Sequence, residues 1–381
     1  MHNRKRSTIT PEMQSKMDRK AEMISDLMSV VLKDSRSKKD ISPELLERTS
    51  KLLMMNPDCY TLWNYRREIL IETLGERGLS NDLSSTDIEG KTVFSDLCGR
   101  RTEAVYLVSD AEGKAIRDQE LLLTQQCIQK NPKSYPSWYH REWVVSRFQC
   151  IDQGLQEIGL CNLFLKTDQR NFHCWNYRRF VVNHFNISTN TEIEYSTAKI
   201  EENFSNYSAF HHRAVYLQGL ISNIEQLVNF LRVDFGIIEN AVFTDPYDQS
   251  AWWYWRYLIK QCAVILLEAC DGSHKTAICE LLAEQVGIVH EITLAEPECR
   301  WAVDSLLHLL IVVENFSDQL SAFGKGDEAE NREGKGVDDV SPGQVLLLSL
   351  TDLGVDKQQL LEKVKTLDPL RAKRYDSLYK A

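Results

Sequence analysis

The sequence predicts an all-α protein, a right-handed superhelical solenoid, or crescent, built from antiparallel helical hairpins. The first observation behind this prediction is a motif, aromatic-x-x-Trp-x-x-Arg, whose clearest later copies recur at intervals of 35 to 43 residues. The second is that a polar turn, most often Asn-Pro or Asp-Pro, precedes these copies. The third is that apolar residues on both sides of the turns keep helical spacing. Because one hairpin cannot bury its apolar face alone, neighbouring copies are expected to stack.

The motif has four clear copies and two diverged ones. The clear copies are NPDCYTLWNYR (56–66), NPKSYPSWYHR (131–141), DQRNFHCWNYR (168–178) and NFSNYSAFHHR (203–213). A fifth copy is aligned on Trp253 and Arg256, and a degraded sixth runs from Glu296 to Trp301. On a helix, residues at i, i+3 and i+6 lie near one face, so a structural role in packing is expected. The residues given this role are Trp63, Arg66, Trp138, Arg141, Trp175, Arg178, Arg213, Trp253 and Arg256.

The segments around the repeats divide the chain in order. An amphipathic helix from Met13 to Leu32 is expected to cap the first repeat, and Pro43 is placed at the first position of the next helix. The first interval between tryptophans is 75 residues, so a polar insertion is predicted within it. The predicted domains are an N-terminal segment with its capping helix (1–40), the repeats (41–316, insertion at about 75–110), a disordered loop (317–343) and a C-terminal helical cap (344–381), broken near Asp368-Pro369.

Composition restricts the cellular setting and the partners. No apolar run approaches the ~20 residues that a membrane helix needs, and no secretory signal is recognisable, so we expect a cytoplasmic protein without a transmembrane segment. Ten cysteines are scattered without any C-x-x-C pair, which is typical of reduced thiols. A net charge of -10 argues against nucleic acid as a partner.

A candidate anion site follows from the residues that vary inside the repeat. The position five residues before the tryptophan is occupied by Asp58, Lys133, Arg170 and Ser205 in successive copies. Because packed helices lie about 8–10 Å apart, Lys133 and Arg170 could converge on one anion such as a diphosphate. Tyr135, Asn171 and His173, in the same turns, can donate hydrogen bonds to phosphate oxygens. The alternative from the residues alone is a solvated basic surface.

Catalytic motifs of self-sufficient enzymes are missing from the sequence. It contains no H-E-x-x-H pair, no P-loop, no Rossmann fingerprint and no G-x-S-x-G elbow. The two adjacent histidines, His211 and His212, point to different faces of a helix and do not suggest a metal site. The sequence by itself therefore predicts that the chain is not an enzyme alone.

The repeats resemble those of the protein prenyltransferase α subunits over about residues 40 to 310. Tetratricopeptide arrays have a similar period but are not marked by Trp-x-x-Arg after Asn-Pro. The segments 203–208, 245–252 and 296–301, together with the Met1-His2 opening, are most similar to the Rab-directed, type-2 branch. The other branch, which serves farnesyltransferase and the type-1 enzyme, usually carries a proline-rich N-terminal stretch that is missing here. Mammalian type-2 members add two further domains, so the resemblance implies a minimal form.

The resemblance implies an obligate heterodimer. In the family, an α-α barrel β subunit holds the catalytic zinc and the isoprenoid, so no cofactor is expected on this chain alone, and participation of Mg²⁺ with the diphosphate is left open. The implied reaction moves geranylgeranyl from geranylgeranyl diphosphate to C-terminal cysteines of Rab GTPases presented by an escort protein.

Family positions also imply roles for particular residues. Lys133 matches the family lysine that reaches the diphosphate, with Tyr135, Asn171 and His173 near the same site. Arg170 is kept as a second contact to this ligand because of its equivalent position in the next turn, not because of the resemblance. His2 is implied as a self-blocking ligand of the β-subunit zinc. Two departures are Phe172, where farnesyltransferase α subunits have tyrosine, and Ser134, where they have asparagine; the roles of those groups are expected to be lost.

Two alternative functions stay open at this point. The chain could be the α subunit shared by farnesyltransferase and type-1 geranylgeranyltransferase, which modifies CaaX proteins without an escort. It could instead be a non-catalytic helical-repeat scaffold that binds no β subunit, in which case Lys133 would be replaceable.

Overall fold

The structure is a computed structural model that describes residues 10–37, 43–78, 111–148, 153–218, 224–268, 272–316 and 356–379, with four isolated residues between 343 and 354. Within these ranges all the regular elements are helices, so the predicted all-α repeat fold is confirmed. The helices are α1 (Pro11–Ser37), α2 (Pro43–Met55), α3 (Tyr60–Gly78), α4 (Ala111–Lys130), α5 (Tyr135–Arg147), α6 (Gln153–Thr167), α7 (Phe172–His184), α8 (Thr189–Glu202), α9 (Tyr207–Gln218), α10 (Ile224–Thr244), α11 (Gln249–Glu268), α12 (Gly272–Ala295), α13 (Arg300–Asn315), α14 (Lys357–Leu367), a 3₁₀ turn (Pro369–Arg371) and α15 (Ala372–Tyr379).

The chain forms two compact units, Met1–Ile187 and Ser188–Ala381. In the first unit, α1 packs on α2, and the hairpins are α2/α3, α4/α5 and α6/α7. In the second unit, the hairpins are α8/α9, α10/α11 and α12/α13, and α14 packs on α13. The insertion predicted at about 75–110 overlaps the last residues of α3 and otherwise lies outside the described residues, as do residues 317–342 of the predicted loop. None of the described helices is long and apolar enough to cross a membrane.

The turn inside each hairpin is built from side-chain hydrogen bonds. In five turns an Asn or Asp oxygen accepts the backbone N–H two residues later, over 3.0–3.3 Å, and these residues are Asn56, Asn131, Asp168, Asn203 and Asp245. The tryptophan of the following helix then donates its indole N–H to the carbonyl six residues before it. Trp63 reaches the Pro57 carbonyl at 2.8 Å in this way. The repeat therefore satisfies its own buried indole and fixes the angle between its two helices.

Three of the repeat arginines, Arg66, Arg141 and Arg213, each join their own hairpin to the next one. Arg66 donates Nη1 to a main-chain carbonyl and to Thr49 on the first helix of its own hairpin. Its Nε and Nη2 donate to both oxygens of Glu120, at 2.7 and 2.6 Å, on the first helix of the following hairpin. The same carboxylate bridge recurs at Arg141 with Glu157 and at Arg213 with Asp234.

A second donor from the following hairpin completes each bridge. His140 Nε2 lies 3.0 Å from Glu120, and the Tyr177 hydroxyl donates to Glu157 at 2.8 Å. The Tyr254 hydroxyl donates in the same way to Asp234. Each buried carboxylate is therefore held by the arginine of one hairpin and by the second helix of its own hairpin, which keeps its charge paired.

The fifth repeat differs from its sequence alignment by one residue. Trp252, not Trp253, donates its indole N–H to the carbonyl of Pro246, at 2.8 Å, as the other repeat tryptophans do. Trp255 then occupies the arginine position, and its indole N–H donates to Gln285, which occupies the carboxylate position, at 2.8 Å. A neutral pair replaces the ion pair. Trp253 and Arg256 each stand one residue after the true repeat positions, and this hides the register in the sequence.

The two ends of the helical array only partly match their predictions. The predicted helix between Met13 and Leu32 is present in α1, and Ile24 and Met28 pack on the apolar cluster of the first hairpin. Met13 and Met17, in the first half of the expected apolar stripe, are exposed instead. The predicted break at Asp368-Pro369 is confirmed, since α14 ends at Leu367 and a 3₁₀ turn follows.

Arg256 has a separate role, in fastening the C-terminal helices. Its guanidinium lies 2.7 Å from Asp304, whose other oxygen accepts the Tyr379 hydroxyl at 2.9 Å. Since Tyr379 is the last residue of α15, this carboxylate ties the C-terminal helix to α11 and α13. Arg256 therefore holds the C-terminal helices and is not a member of the repeat series to which the sequence alignment assigned it.

The bridge at Glu120 predicts a measurable dependence of stability on pH. Burial alone would raise the pKa of Glu120, but Arg66 and the His140 hydrogen bond more than offset it and lower the pKa from its ordinary 4.5 to about 2. Burial lowers the pKa of His140, so its ring is neutral at pH 7 and Arg66 supplies the attracting charge. A lowered carboxyl pKa contributes stability that is complete above pH 4.5 and is lost as pH falls toward 2.

We therefore expect the difference in unfolding free energy between wild type and Glu120→Gln to shrink by roughly 3 kcal/mol across this acid window. The measurement is urea unfolding at a series of pH values. Asp118→Asn, at an exposed carboxylate on the same helix, serves as the control and should leave the pH profile unchanged. A constant difference between wild type and Glu120→Gln would show that Glu120 titrates normally in the folded protein.

Candidate functional site

Three of the predicted site residues lie together where α5 and α7 begin. Lys133 is exposed in the turn before α5, and Tyr135 is the first residue of that helix, 59% exposed. His173 is the second residue of α7 and is half-buried. The rings of Tyr135 and His173 meet edge to face with centroids 5.8 Å apart. Lys133, Tyr135 and His173 are called the Lys133 cluster below.

The imidazole of His173 lies close enough to Lys133 for the lysine charge to affect its pKa. Burial, and secondly the charge of Lys133, hold the pKa of His173 below its ordinary value. The ring is therefore neutral at neutral pH and can donate one N–H, while Lys133 carries the positive charge. An ammonium, a phenol O–H and an imidazole N–H on one face form an arrangement suited to binding an anion.

Arg170 occupies the same place in the next turn that Lys133 occupies in its own. Lys133 and Arg170 each stand two residues after the first residue of their turn, and both side chains are exposed. The backbone N–H of each donates to the side-chain oxygen of that first residue at 3.2 Å. The two turns are joined by a hydrogen bond of 2.9 Å from Asn171 Nδ2 to the Pro132 carbonyl. The predicted pair of cations therefore stands on two adjacent, directly bonded turns.

Asn171 differs from its expected place in the site. Its side chain is 3% exposed, and Oδ1 caps α7 by accepting the backbone N–H groups of His173 and Cys174 at 3.1 and 3.2 Å. Its Nδ2 group is directed to the preceding turn, at Pro132. Because both ends of the amide are used inside the frame, Asn171 lies behind the Lys133 cluster and supports it instead of facing a ligand.

Ser134 also corrects an expectation. Its hydroxyl donates to the Pro57 carbonyl at 3.0 Å, in the place that corresponds to the bond from Asn171 to Pro132. The serine therefore keeps the bond between successive turns that was expected to be lost with the asparagine. A hydroxyl reaches the carbonyl because the turns are in close contact and Ser134 is fully buried.

Aromatic side chains that were not predicted surround the cluster. Phe172 is 59% exposed, and its ring centroid lies 3.9 Å from that of His173. On the other side, Tyr139 stacks on Tyr135 with centroids 6.5 Å apart, and the Arg67 guanidinium lies 4.9 Å from the Tyr139 ring. Tyr139 was detectable, because it follows Tyr135 by four residues on one helix. Arg67 comes from the neighbouring hairpin, and no sequence pattern pointed to it.

The predicted metal contact is not among the described residues. His2 lies outside the part of the chain that the structure describes. Among the residues that are described, no group of three or more His, Cys, Asp or Glu side chains is placed to hold a metal ion. The zinc role of His2 stays a prediction.

Comparison with known proteins identifies the repeats. A family model described as the protein prenyltransferase alpha subunit repeat matches residues 42–72, 117–148, 155–185 and 189–220. The geranylgeranyl transferase type-2 subunit alpha of Rattus norvegicus is 35% identical over 226 residues, which cover 58% of this chain and 34% of that protein. Its Saccharomyces cerevisiae counterpart is 28% identical over 340 residues, covering 85% of this chain and 90% of that protein.

The solved structures agree on the fold. The Candida albicans protein geranylgeranyltransferase-I complexed with GGPP is similar to this chain with a TM-score of 0.55 and 15% identity, over 94% of this chain and 90% of that chain. This chain spans only about a third of the length of its mammalian relatives, 34% in the rat protein. The matched repeats coincide with the hairpins of the first unit and with α8 and α9 of the second. The chain therefore carries the protein prenyltransferase alpha subunit repeat at four places between residues 42 and 220, and it is similar to geranylgeranyl transferase type-2 alpha subunits of mammals and yeasts.

Proposed function

We propose that this chain is the α subunit of a heterodimeric Rab geranylgeranyltransferase. It would transfer geranylgeranyl from geranylgeranyl diphosphate to C-terminal cysteines of Rab GTPases, in the cytoplasm. The observation that carries the proposal is the Lys133 cluster, which sets one ammonium and two neutral donors on an exposed face of two bonded turns. The names of the relatives from rat and yeast support the type-2 assignment.

The cluster would act on the departing diphosphate. As the bond between the isoprenoid carbon and the diphosphate oxygen breaks, negative charge develops on that oxygen and its neighbours. Lys133 would neutralise part of this charge, and the Tyr135 hydroxyl and the His173 N–H would donate hydrogen bonds to it. Arg170, on the adjacent turn, would bind the same anion from its other side.

The proposal assigns the remaining chemistry to a β subunit. A zinc ion there would activate the substrate cysteine as a thiolate, and the β subunit would also bind the isoprenoid. The chain would therefore be inactive alone, because it supplies only the groups that receive the leaving diphosphate. A Rab escort protein would present the substrate to the heterodimer.

The second candidate is the α subunit shared by farnesyltransferase and the type-1 enzyme. One solved structure with the same fold, from Candida albicans, is described as a geranylgeranyltransferase-I, and this is the observation in favour of the second candidate. Substrate choice separates the two readings, since a CaaX protein needs no escort.

Co-expression with candidate type-2 and type-1 β subunits tests the proposal. We expect a stable complex with the type-2 β subunit, and escort-dependent transfer of labelled geranylgeranyl to a Rab protein. Labelling of a CaaX protein without escort would move the chain to the shared farnesyl and type-1 branch. Failure to pair with either β subunit would leave a helical scaffold and would overturn the enzymatic role.

A further inference from the structure

The two helices that begin in the Lys133 cluster are tied together by one buried carboxylate. Glu157, on α6, accepts Nε and Nη2 of Arg141 at 2.7 and 2.8 Å. It also accepts the Tyr177 hydroxyl at 2.8 Å. Arg141 is on α5 and Tyr177 is on α7, and all three side chains are almost completely buried. The carboxylate therefore links α5 to α7 inside the first unit.

We infer that Tyr177, acting through Glu157, is a positioning residue that holds His173 against Tyr135 and Lys133. The inference rests on the proposed function and names a further residue that this function needs. Tyr177 follows His173 by four residues, so both side chains lie on neighbouring parts of one face of α7. At 1.5 Å per residue, the hydroxyl bond is about 6 Å along the helix from the cluster.

Two ties of different depth then fix α7 relative to α5. The first is the bond from Asn171 Nδ2 to the Pro132 carbonyl, which joins the turns directly before the two helices. The second is the bond from Tyr177 to Glu157, six residues or about 9 Å further along α7. With only one of these hydrogen bonds, α7 could rotate about that point. Two hydrogen bonds at different positions along α7 fix its tilt and therefore the position of the His173 ring.

The chemistry of Tyr177 makes it a dependable donor. Burial, and secondly the neighbouring Glu157, raise the pKa of Tyr177 well above its ordinary value. The hydroxyl therefore keeps its proton wherever the protein is folded. Removing this hydroxyl leaves both bonds from Arg141 to Glu157 in place, so the buried carboxylate stays paired and the hairpins stay joined.

The repeat supplies a matched control. Tyr254 donates to Asp234, which is also bound by a repeat arginine, Arg213. This tie lies in the second unit, between α9, α10 and α11, and none of these helices carries a residue of the Lys133 cluster. Tyr177→Phe and Tyr254→Phe thus remove the same kind of bond, and both should lower thermal stability by similar amounts.

The test compares these variants in the full heterodimer with its β subunit. We expect Tyr177→Phe to lower kcat for geranylgeranyl transfer about tenfold with little change in KM for the protein substrate, because a small displacement of a charge-stabilising group slows the chemical step. Tyr254→Phe should leave kcat within twofold of wild type. Tyr177→His should restore most of the rate, because histidine binds the corresponding carboxylate in other repeats, as His140 and His212 do.

The outcomes separate the inference from the proposed function. An active wild type with equal kcat in both Phe variants would show that Tyr177 is purely structural and would overturn the inference. A Tyr177→His variant no faster than Tyr177→Phe would also overturn it. A wild-type complex that forms but transfers no isoprenoid would instead overturn the proposed function, and the inference with it.

Discussion

Replacing Lys133 with alanine is expected to lower the transfer rate of the reconstituted heterodimer about 10²- to 10³-fold. The reason is that Lys133 carries the positive charge of the cluster, while His173 beside it is neutral at the working pH. Lys133 is exposed and its neighbours hold the turn through backbone and buried groups, so pairing with the β subunit should be unchanged. Single-turnover transfer of labelled geranylgeranyl measures the chemical step.

The control for this variant removes a lysine that faces solvent elsewhere. Lys166 is exposed at the end of α6, and Lys166→Ala should transfer at the wild-type rate. Lys133→Arg should recover part of the lost rate, because the charge is restored with a different shape. A Lys133→Ala enzyme that transfers at the wild-type rate would remove the residue from the mechanism.

The largest loss of stability is expected from Arg141→Ala. This change leaves Glu157 buried with two neutral donors, the Tyr177 hydroxyl and the more distant Gln153 amide, and without its arginine. Breaking one partner of a buried ion pair costs about 3–5 kcal/mol. Arg141 also donates to Thr124 and to a main-chain carbonyl of α4, so the joint between two hairpins is lost as well. Urea unfolding of the chain, followed by circular dichroism, measures the change in free energy.

An exposed arginine provides the comparison for Arg141. Arg232 is exposed on α10, and Arg232→Ala should change the unfolding free energy by no more than about 0.5 kcal/mol. If Arg141→Ala were as stable as Arg232→Ala, the carboxylate bridges between hairpins would not stabilise the fold, and the structural role of the repeat arginine would have to be abandoned.

The carboxylate partners of the repeat were visible in the sequence but needed the structure to be recognised. Glu120, Glu157, Glu192 and Asp234 each stand eighteen residues before the ring of their own repeat, at Trp138, Trp175, Phe210 and Trp252. Gln285 continues the series in the degraded sixth repeat. Acidic residues are common on helices, so this spacing has meaning only after a buried arginine is seen to reach it. Sequence alignment on tryptophan alone missed the pattern and placed the fifth repeat one residue out of register.

In the candidate site, too, the sequence predicted some of the residues, and only the structure showed which of them face solvent. Lys133 and Arg170 were predicted from their shared position in successive turns, and the structure places these turns side by side through one hydrogen bond. Asn171 has the same residue chemistry as a phosphate donor, but burial and two cap bonds make it part of the frame. Which polar group faces solvent depends on helix rotation, which the sequence does not state.

The sequence by itself determined the helical repeat, the turns and the positions of the cations, because helix period, turn chemistry and recurring aromatic residues are local properties of the chain. The tertiary structure alone decided which carboxylate each arginine binds, that Trp252 takes the place expected for Trp253, and that Arg67, Tyr139 and Phe172 surround the cluster. These facts depend on how one hairpin is rotated against the next. That rotation is fixed by buried ion pairs and ring packing between residues distant in sequence, whose energies no local pattern records.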